Sequence, residues 1–321
     1  MKLSKEKLTE MLKKMLEIRH FEEAIYYVYA QGWMPGLAHL YIGQEAIAVG
    51  VCENLEKDDY ITSTHRGHGH LIAKGGDLNK MMAEVMGKVT GYCKGKGGSM
   101  HIAAPELGIM GANGIVGGSI PIATGLGLSS KLKKDGRVTI CFFGEGASNQ
   151  GAFHEGLNMG SLWKLPIVYV CENNLYAISV SQQRSQNIKD VTIRAESYGI
   201  PGEIVDGNDV LAVHEAAQTA INHAREGKGP TLIECKTYRW GGHHVGDPGT
   251  AYRPPKEVKL WKDKCPIKGF KSSLIKKNIL TQTEIDNIEN KIKQRVDKSI
   301  EFARKSSYPA PEEALNDIFA K

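Results

Sequence analysis

Apolar positions near the N-terminus recur with helical spacing. Leu8, Met11, Met15, Ile18 and Phe21 stand three and four residues apart, which predicts an amphipathic helix over residues 4–31. From Gly32 to about Gly118, glycine and histidine interrupt any long period, and only short helical pieces are predicted there, over 43–54 and 78–88. The texture then changes. Val138–Phe143 and Ile167–Glu172 are nearly continuous apolar runs, as expected for parallel strands covered on both faces. Further β-rich runs follow at Gly202–Val205 and Thr231–Thr237, and helix-like segments at 151–163, 190–198 and 210–226 alternate with them. Pro254-Pro255 ends this rhythm, and charged helical segments follow, with Thr281–Thr283 before Glu284 as a helix start. The pattern predicts an α/β fold, doubly wound around a mostly parallel sheet, with a helical N-terminal arm and a helical C-terminal extension. The expected division is 1–255 for the sheet domain and 256–321 for the extension. Two connections, 88–120 and 239–254, are long for a compact domain, which marks them as functional candidates.

Composition narrows the class. Of 321 residues, 41% are hydrophobic and 24% charged, enough for a packed core. The net charge of +5, from 41 Lys+Arg against 36 Asp+Glu, is too small and too mixed to argue for nucleic acid. The six cysteines form no Cys-x-x-Cys pair, so neither a zinc site nor a disulfide framework is expected from them. The N-terminus lacks the apolar stretch of a signal peptide, and no run is long enough to span a membrane. These features predict a soluble, reduced, cytoplasmic chain.

The sharpest chemical signal follows the run Val138–Phe143. It reads Gly144-Glu145-Gly146-Ala147-Ser148-Asn149-Gln150-Gly151, and Cys171-Glu172-Asn173-Asn174-Leu175-Tyr176 follows the next run. Two parallel strands joined by one helix bring both segments to the same carboxyl edge of a sheet, where ligands bind in open α/β folds. Glycines let backbone N–H groups approach an anion. A carboxylate and a carboxamide oxygen are hard ligands that suit Mg²⁺. Either segment alone would also fit an ordinary βα turn; the pair in register points to a metal-bridged diphosphate site. Two further stretches are rich in candidate chemistry, His65-Arg66-Gly67-His68-Gly69-His70 and Tyr238-Arg239-Trp240-Gly241-Gly242-His243-His244. The first holds three His and two Gly in six residues and reads as a poor helix or strand. The second could close over a bound ligand, and Asp247 could order it by pairing with a loop arginine.

Gly-acid-Gly followed at this distance by Asn-Asn is similar to the thiamine diphosphate motif. Gly43-Gln44-Glu45-Ala46, Lys94-Gly95-Lys96-Gly97-Gly98-Ser99-Met100-His101, Gly114-Ile115-Val116-Gly117 and Asp247-Pro248-Gly249 occur around it in order. Together they resemble the alpha subunits of the heterotetrameric E1 dehydrogenase components that act on pyruvate, branched-chain 2-oxo acids or acetoin. The resemblance covers nearly the whole chain. It implies a fold of the thiamine diphosphate-binding type, with Glu145, Asn174 and the carbonyl of Tyr176 as Mg²⁺ ligands. Gly144, Gly146 and Ala147 would line the diphosphate, Arg66 and Arg239 would neutralise it, and His65 would stand beside it. Gly114 and Val116 would face the aminopyrimidine. His39 and His243, and with them His68, would serve near the reacting carbon. It further implies a beta subunit in an alpha2-beta2 tetramer, which supplies the carboxylate that activates the cofactor, and a lipoyl-bearing E2 acyltransferase that accepts the acyl group.

Departures from the family pattern bear on substrate and control. Glu145 stands where pyruvate-type relatives carry Asp, and His65 where they carry Tyr; the second feature is closer to acetoin-type proteins. The phosphorylatable loop serines of kinase-regulated relatives are matched by His244 and Ala251, so no such control is expected. Acetoin is the favoured substrate, with pyruvate next and branched-chain 2-oxo acids behind. A stand-alone transketolase-like enzyme and a non-catalytic cofactor-holding subunit are the alternatives.

Overall fold

A computed structural model describes residues 3–318. The expected N-terminal helix is α1, Lys5–Ala30. Ser4 starts it by accepting from the Lys7 amide at 3.2 Å, and Gly32, in the left-handed region, follows its end. Next come α2 (Glu45–Cys52), β1 (Tyr60–Thr64), α3 (His68–Ala73), α4 (Leu78–Val85), β2 (Ile109–Asn113) and α5 (Ser119–Lys133). The second half runs β3 (Thr139–Gly144), α6 (Gly151–Leu162), β4 (Ile167–Asn173), β5 (Gly202–Asp206), α7 (Val210–Arg225) and β6 (Thr231–Lys236). The C-terminal extension is α8 (Pro255–Asp263), α9 (Pro266–Lys276) and α10 (Gln282–Lys305); positions 319–321 lie outside the described residues.

The main sheet has the order β2-β1-β3-β4-β6-β5, and each neighbouring pair is parallel. The chain builds outward from β1 to β2, crosses back, and then builds the other way from β3. The order therefore reverses between β1 and β3, the position where open α/β sheets bind ligands at their carboxyl ends. The α/β fold with its helical N-terminal arm and C-terminal helices is as the patterning predicts.

The continuous apolar runs of β3 and β4 serve two cores. Ile140, Phe142, Val168 and Val170 face one, with α1, α2, α4 and α7. Cys141, Phe143, Ile167, Tyr169 and Cys171 face the other, beside Ile120 of α5 and Phe153 and Leu157 of α6. Each large apolar side chain so buried contributes about 1.5–3 kcal/mol. The extension joins the first core through Ile267, Phe270, Leu274, Ile285, Ile292 and Val296. Its last helix starts where expected: Thr281 and Glu284 form a reciprocal capping box.

Several expectations are corrected. The stretch from Gly32 to Gly118 contains two strands, β1 and β2, and not only short helices. The 88–120 connection is broken by β2 and by the start of α5. The His65–His70 stretch does enter a helix, because α3 begins at His68, and Gly69 leaves room for the Tyr41 ring, which a Cβ there would strike. The segment 190–198 holds only one helical turn, Ile193–Glu196. Among the described residues, no helix is long and apolar enough to cross a membrane.

Candidate active site

A cavity of about 240 Å³ opens at the carboxyl edge of the sheet, where the strand order reverses. Its wall comes from the ends of β1 (Thr64, His65, Arg66), β2 (Asn113), β3 (Gly144 to Ala147) and β4 (Glu172, Asn174), with Arg239 and His243 from the loop beyond β6. The register that pairs Gly144 with Glu172 brings the two motif segments side by side.

Glu145 starts a 3₁₀ turn directly after β3 and is buried. Its Oε2 accepts from the Asn174 amide at 3.2 Å, while Oε1 finds no partner among the described residues. Burial pushes its carboxyl up to about 7, against the opposing pull of the backbone amides and of the Arg239 and Arg66 charges. Asn174 Oδ1 accepts from Arg239 Nη1 at 3.4 Å, and the same nitrogen donates to the Tyr176 carbonyl at 2.5 Å. One guanidinium nitrogen thus sits on two of the three expected metal-ligand groups, next to a carboxylate with a free oxygen. Three hard oxygen donors that already attract a cation fit a divalent ion such as Mg²⁺.

Two arginines, Arg66 and Arg239, line the same cavity. Arg66 is buried and donates to the Leu40 carbonyl at 2.5 Å and to the His243 carbonyl at 3.1 Å. Arg239 is also buried. Burial and then the Arg239 charge lower Arg66 to about 9. Two buried guanidiniums facing one cavity repel each other, and a bound anion would relieve that repulsion. Gly144 lies at the wall, where a Cβ would meet nothing within 4 Å, and at Gly146 a Cβ would come 2.6 Å from Ala177 Cβ. The backbone here is free to approach a ligand closely.

His39, His65 and His243 gather at one end. The His39 ring centroid lies 4.6 Å from that of His65 and 4.7 Å from that of His243. Burial, followed by the positive charge of Arg66, lowers His39 to about 2, His65 to about 3 and His243 to about 4. All three rings are therefore neutral near pH 7.

Three expected site residues lie outside the cavity wall: His39, which packs against His65 and His243, and His68 and Gly114. His68 is fully buried and does not line the cavity. Its Nδ1 donates to Glu22 at 3.1 Å, and its Nε2 accepts from Ser99 Oγ at 3.1 Å. It pins the Gly-Lys-Gly-Gly-Ser-Met-His segment to α1. Gly114 is not in the cavity wall, although Asn113, Ile115, Val116 and Gly117 around it are; Gly114 faces the His101 ring. Asp247 pairs with no arginine among the described residues. It accepts from the His243 amide, the Gly249 amide and the Tyr252 hydroxyl; Tyr252 in turn accepts from Arg239 at 3.1 Å. Burial raises the Asp247 carboxyl, but these hydrogen bonds outweigh it and hold it at about 2.

Among the wall residues missed in the sequence are Gln44 and Glu172. Gln44 Oε1 accepts from Asn174 Nδ2 at 3.2 Å, and its Nε2 is buried without a partner among the described residues. Glu172 accepts from the Tyr41 hydroxyl and from His70 Nε2 at 3.0 Å, whose Nδ1 accepts from Ser63 at 2.8 Å. The signal for Glu172 was its place at the end of an apolar run, two residues before Asn174; the signal for Gln44 was its Gly-Gln-Glu-Ala setting.

The sequence is similar to those of known proteins over nearly its whole length. A family profile described as "Dehydrogenase E1 component" matches residues 13–312. The chain is 49% identical over 317 residues to the alpha subunit of an acetoin:2,6-dichlorophenolindophenol oxidoreductase from Bacillus subtilis, covering 99% of this chain and 95% of that one. It is 44% identical over 318 residues to the like-named subunit from Cupriavidus necator, covering 99% and 95%. A pyruvate dehydrogenase E1 component alpha subunit from Porphyra purpurea is 42% identical over 325 residues, covering 99% and 94%.

Proposed function

This chain belongs to the dehydrogenase E1 component family, and on that footing we propose that it is the alpha subunit of a thiamine diphosphate-dependent dehydrogenase whose substrate is acetoin. Pyruvate is the second reading, since relatives of both names are similar over nearly the whole chain. The observation that carries the cofactor assignment is one cavity bounded by two buried guanidiniums, a buried carboxylate with a free oxygen, and a glycine-bearing strand end.

Glu145, Asn174 and the Tyr176 carbonyl would hold Mg²⁺, which neutralises part of the diphosphate charge. The backbone at Gly144, Gly146 and Ala147 would follow the diphosphate, with Arg66 and Arg239 compensating the remaining charge. Val116 would border the aminopyrimidine end. The cofactor, when bound, supplies the nucleophilic carbon that cleaves a bond next to a carbonyl group. His65 and His243 present neutral imidazoles in the cavity wall, able to hydrogen-bond the substrate oxygen, and the edge of the His39 ring packs against both. Glu172 is held by Tyr41 and His70 at the cavity floor and keeps that floor polar. A beta subunit in an alpha2-beta2 tetramer would complete the pocket, and a lipoyl-bearing E2 would accept the acyl group. The six cysteines, all free thiols, accord with work in a reducing cytoplasm.

Reconstitution with the beta subunit, Mg²⁺ and thiamine diphosphate tests this reading, with 2,6-dichlorophenolindophenol as electron acceptor. Acetoin is expected to give the highest kcat/KM, followed by pyruvate. A complex that reduces the dye with branched-chain 2-oxo acids in preference to both, or with no substrate of the three classes, overturns it.

A further inference from the structure

Three chain segments far apart in sequence each bring one imidazole to the same point. His39 precedes α2, His65 follows β1, and His243 lies in the loop beyond β6. One ring nitrogen of each lies within 4.8 Å of the other two. His39 is buried, and its Nδ1 has no hydrogen-bond partner among the described residues. A buried imidazole nitrogen left unpaired is costly and marks a place where a ligand is wanted.

The three segments are fastened together by the backbone around them. Arg66, next to His65, donates to the carbonyl of Leu40, next to His39, and to the carbonyl of His243 itself. The Val245 amide donates to the Ala38 carbonyl at 2.9 Å. Asp247 holds the His243 amide. The rings are thus placed before any ligand arrives.

We propose that His39, His65 and His243 form a three-imidazole site for a divalent transition metal of the Zn²⁺ class, separate from the oxygen-lined Mg²⁺ seat at Glu145. Zn²⁺ binds imidazole at about 2.0–2.1 Å in tetrahedral geometry, with ligand atoms about 3.3 Å apart. The nitrogens reach that spacing by closing on one another through small ring rotations, and a water takes the fourth position, toward the cavity. The site discriminates by chemistry. It offers no oxygen donors to Mg²⁺ or Ca²⁺, and the nearby Arg66 charge repels any cation that does not form strong bonds to nitrogen. Zn²⁺, Co²⁺, Ni²⁺ and Cu²⁺ form such bonds. On the function proposed above, a metal there stands in the cavity wall and closes it to substrate, so the site would make the enzyme sensitive to free zinc.

The test is a titration of the full chain, free of thiamine diphosphate, with Co²⁺ as a coloured substitute for Zn²⁺. One equivalent should bind with the intense visible bands of tetrahedral coordination, be displaced by Zn²⁺, and be unaffected by excess Mg²⁺. His39→Ala and His65→Ala should each weaken binding by more than about 100-fold, beyond the loss caused by removing an outer partner. His154→Ala, which alters an exposed histidine outside the cluster, should bind as the wild type does. X-ray absorption on the wild-type Zn²⁺ form provides a readout that needs no variant, and three imidazole ligands are expected. Fewer than three imidazoles, only the pale bands of six-coordinate Co²⁺, or an unchanged affinity in a folded His39→Ala protein overturns the proposal. Because the readout is coordination and not turnover, that failure would leave the thiamine diphosphate reading untouched.

Discussion

Glu84 shows how much one buried carboxylate can organise. Its two oxygens accept from the amides of Cys93 at 2.8 Å, Gly95 at 2.9 Å, Gly97 at 2.8 Å and Gly98 at 3.0 Å. The Gly-Lys-Gly-Gly turn wraps around this anion, and Gly95 and Gly98 supply the positive φ that the wrapping needs. Glu84→Gln exchanges one acceptor oxygen for an NH₂ aimed at N–H donors. The expected cost is about 3 kcal/mol, read as a lower urea midpoint with an unchanged slope. At the cavity, Gly146→Ala would force a methyl to within 2.6 Å of Ala177 Cβ. Either the turn at Gly146 or Ala177, both in the cavity wall, must then shift. Thiamine diphosphate should then bind at least about tenfold more weakly, while the melting temperature changes little, because the strain falls on a turn and not on the core. Equal cofactor affinity in that variant would show that the strand end does not touch the ligand.

At the level of elements, what could be read from the sequence followed from how each element is buried. β3 and β4 were legible because both faces are covered and the apolar run is unbroken. β1, Tyr-Ile-Thr-Ser-Thr, carries hydroxyls that its neighbours bury, and β2, Ile-Met-Gly-Ala-Asn, is interrupted by glycine and irregular in register; neither has a period to detect. α5 contains a proline and two glycines and was missed for the same reason. Its proline sits in the first turn, where no intrahelical bond is lost, and Gly127 is close against Ile167. The paired motif after β3 and β4 was visible because register follows from one βα connection. The convergence of His39, His65 and His243 was not, because it depends on Arg66 joining three segments; only the family resemblance suggested part of it. Helix packing also sets a pH response. His214 of α7 is buried beside α2, and burial, then the Lys7 charge, lowers its pKa below 6.5. With the folded value depressed, the unfolded chain takes up this proton first as pH falls below 6.5, so stability present above 6.5 is lost on acidification. His214→Gln should therefore flatten the decline in unfolding free energy between pH 6.5 and 5; a variant with the wild-type slope would contradict this.

On the scale of the whole molecule, the N-terminal arm and the C-terminal helices share one core with the sheet, while the chemistry gathers on the opposite, carboxyl edge at the point of strand reversal. The core fixes the strand ends, and the strand ends fix the charges: the Glu145 carboxylate beside two carbonyl-type oxygens that Arg239 contacts, with the buried Arg66 guanidinium in the same cavity wall. On the proposed function, metal and diphosphate binding would be mutually dependent, since each ion would offset the repulsion felt by the other. The account is tested most directly by calorimetric titration of thiamine diphosphate into the chain assembled with its beta partner, with and without Mg²⁺, for the wild type and Glu145→Gln. Mg²⁺ should tighten wild-type binding by about 100-fold, and Glu145→Gln should remove most of that gain. Equal cofactor affinity with and without the metal in the wild type, or a full Mg²⁺ gain in the variant, would contradict it.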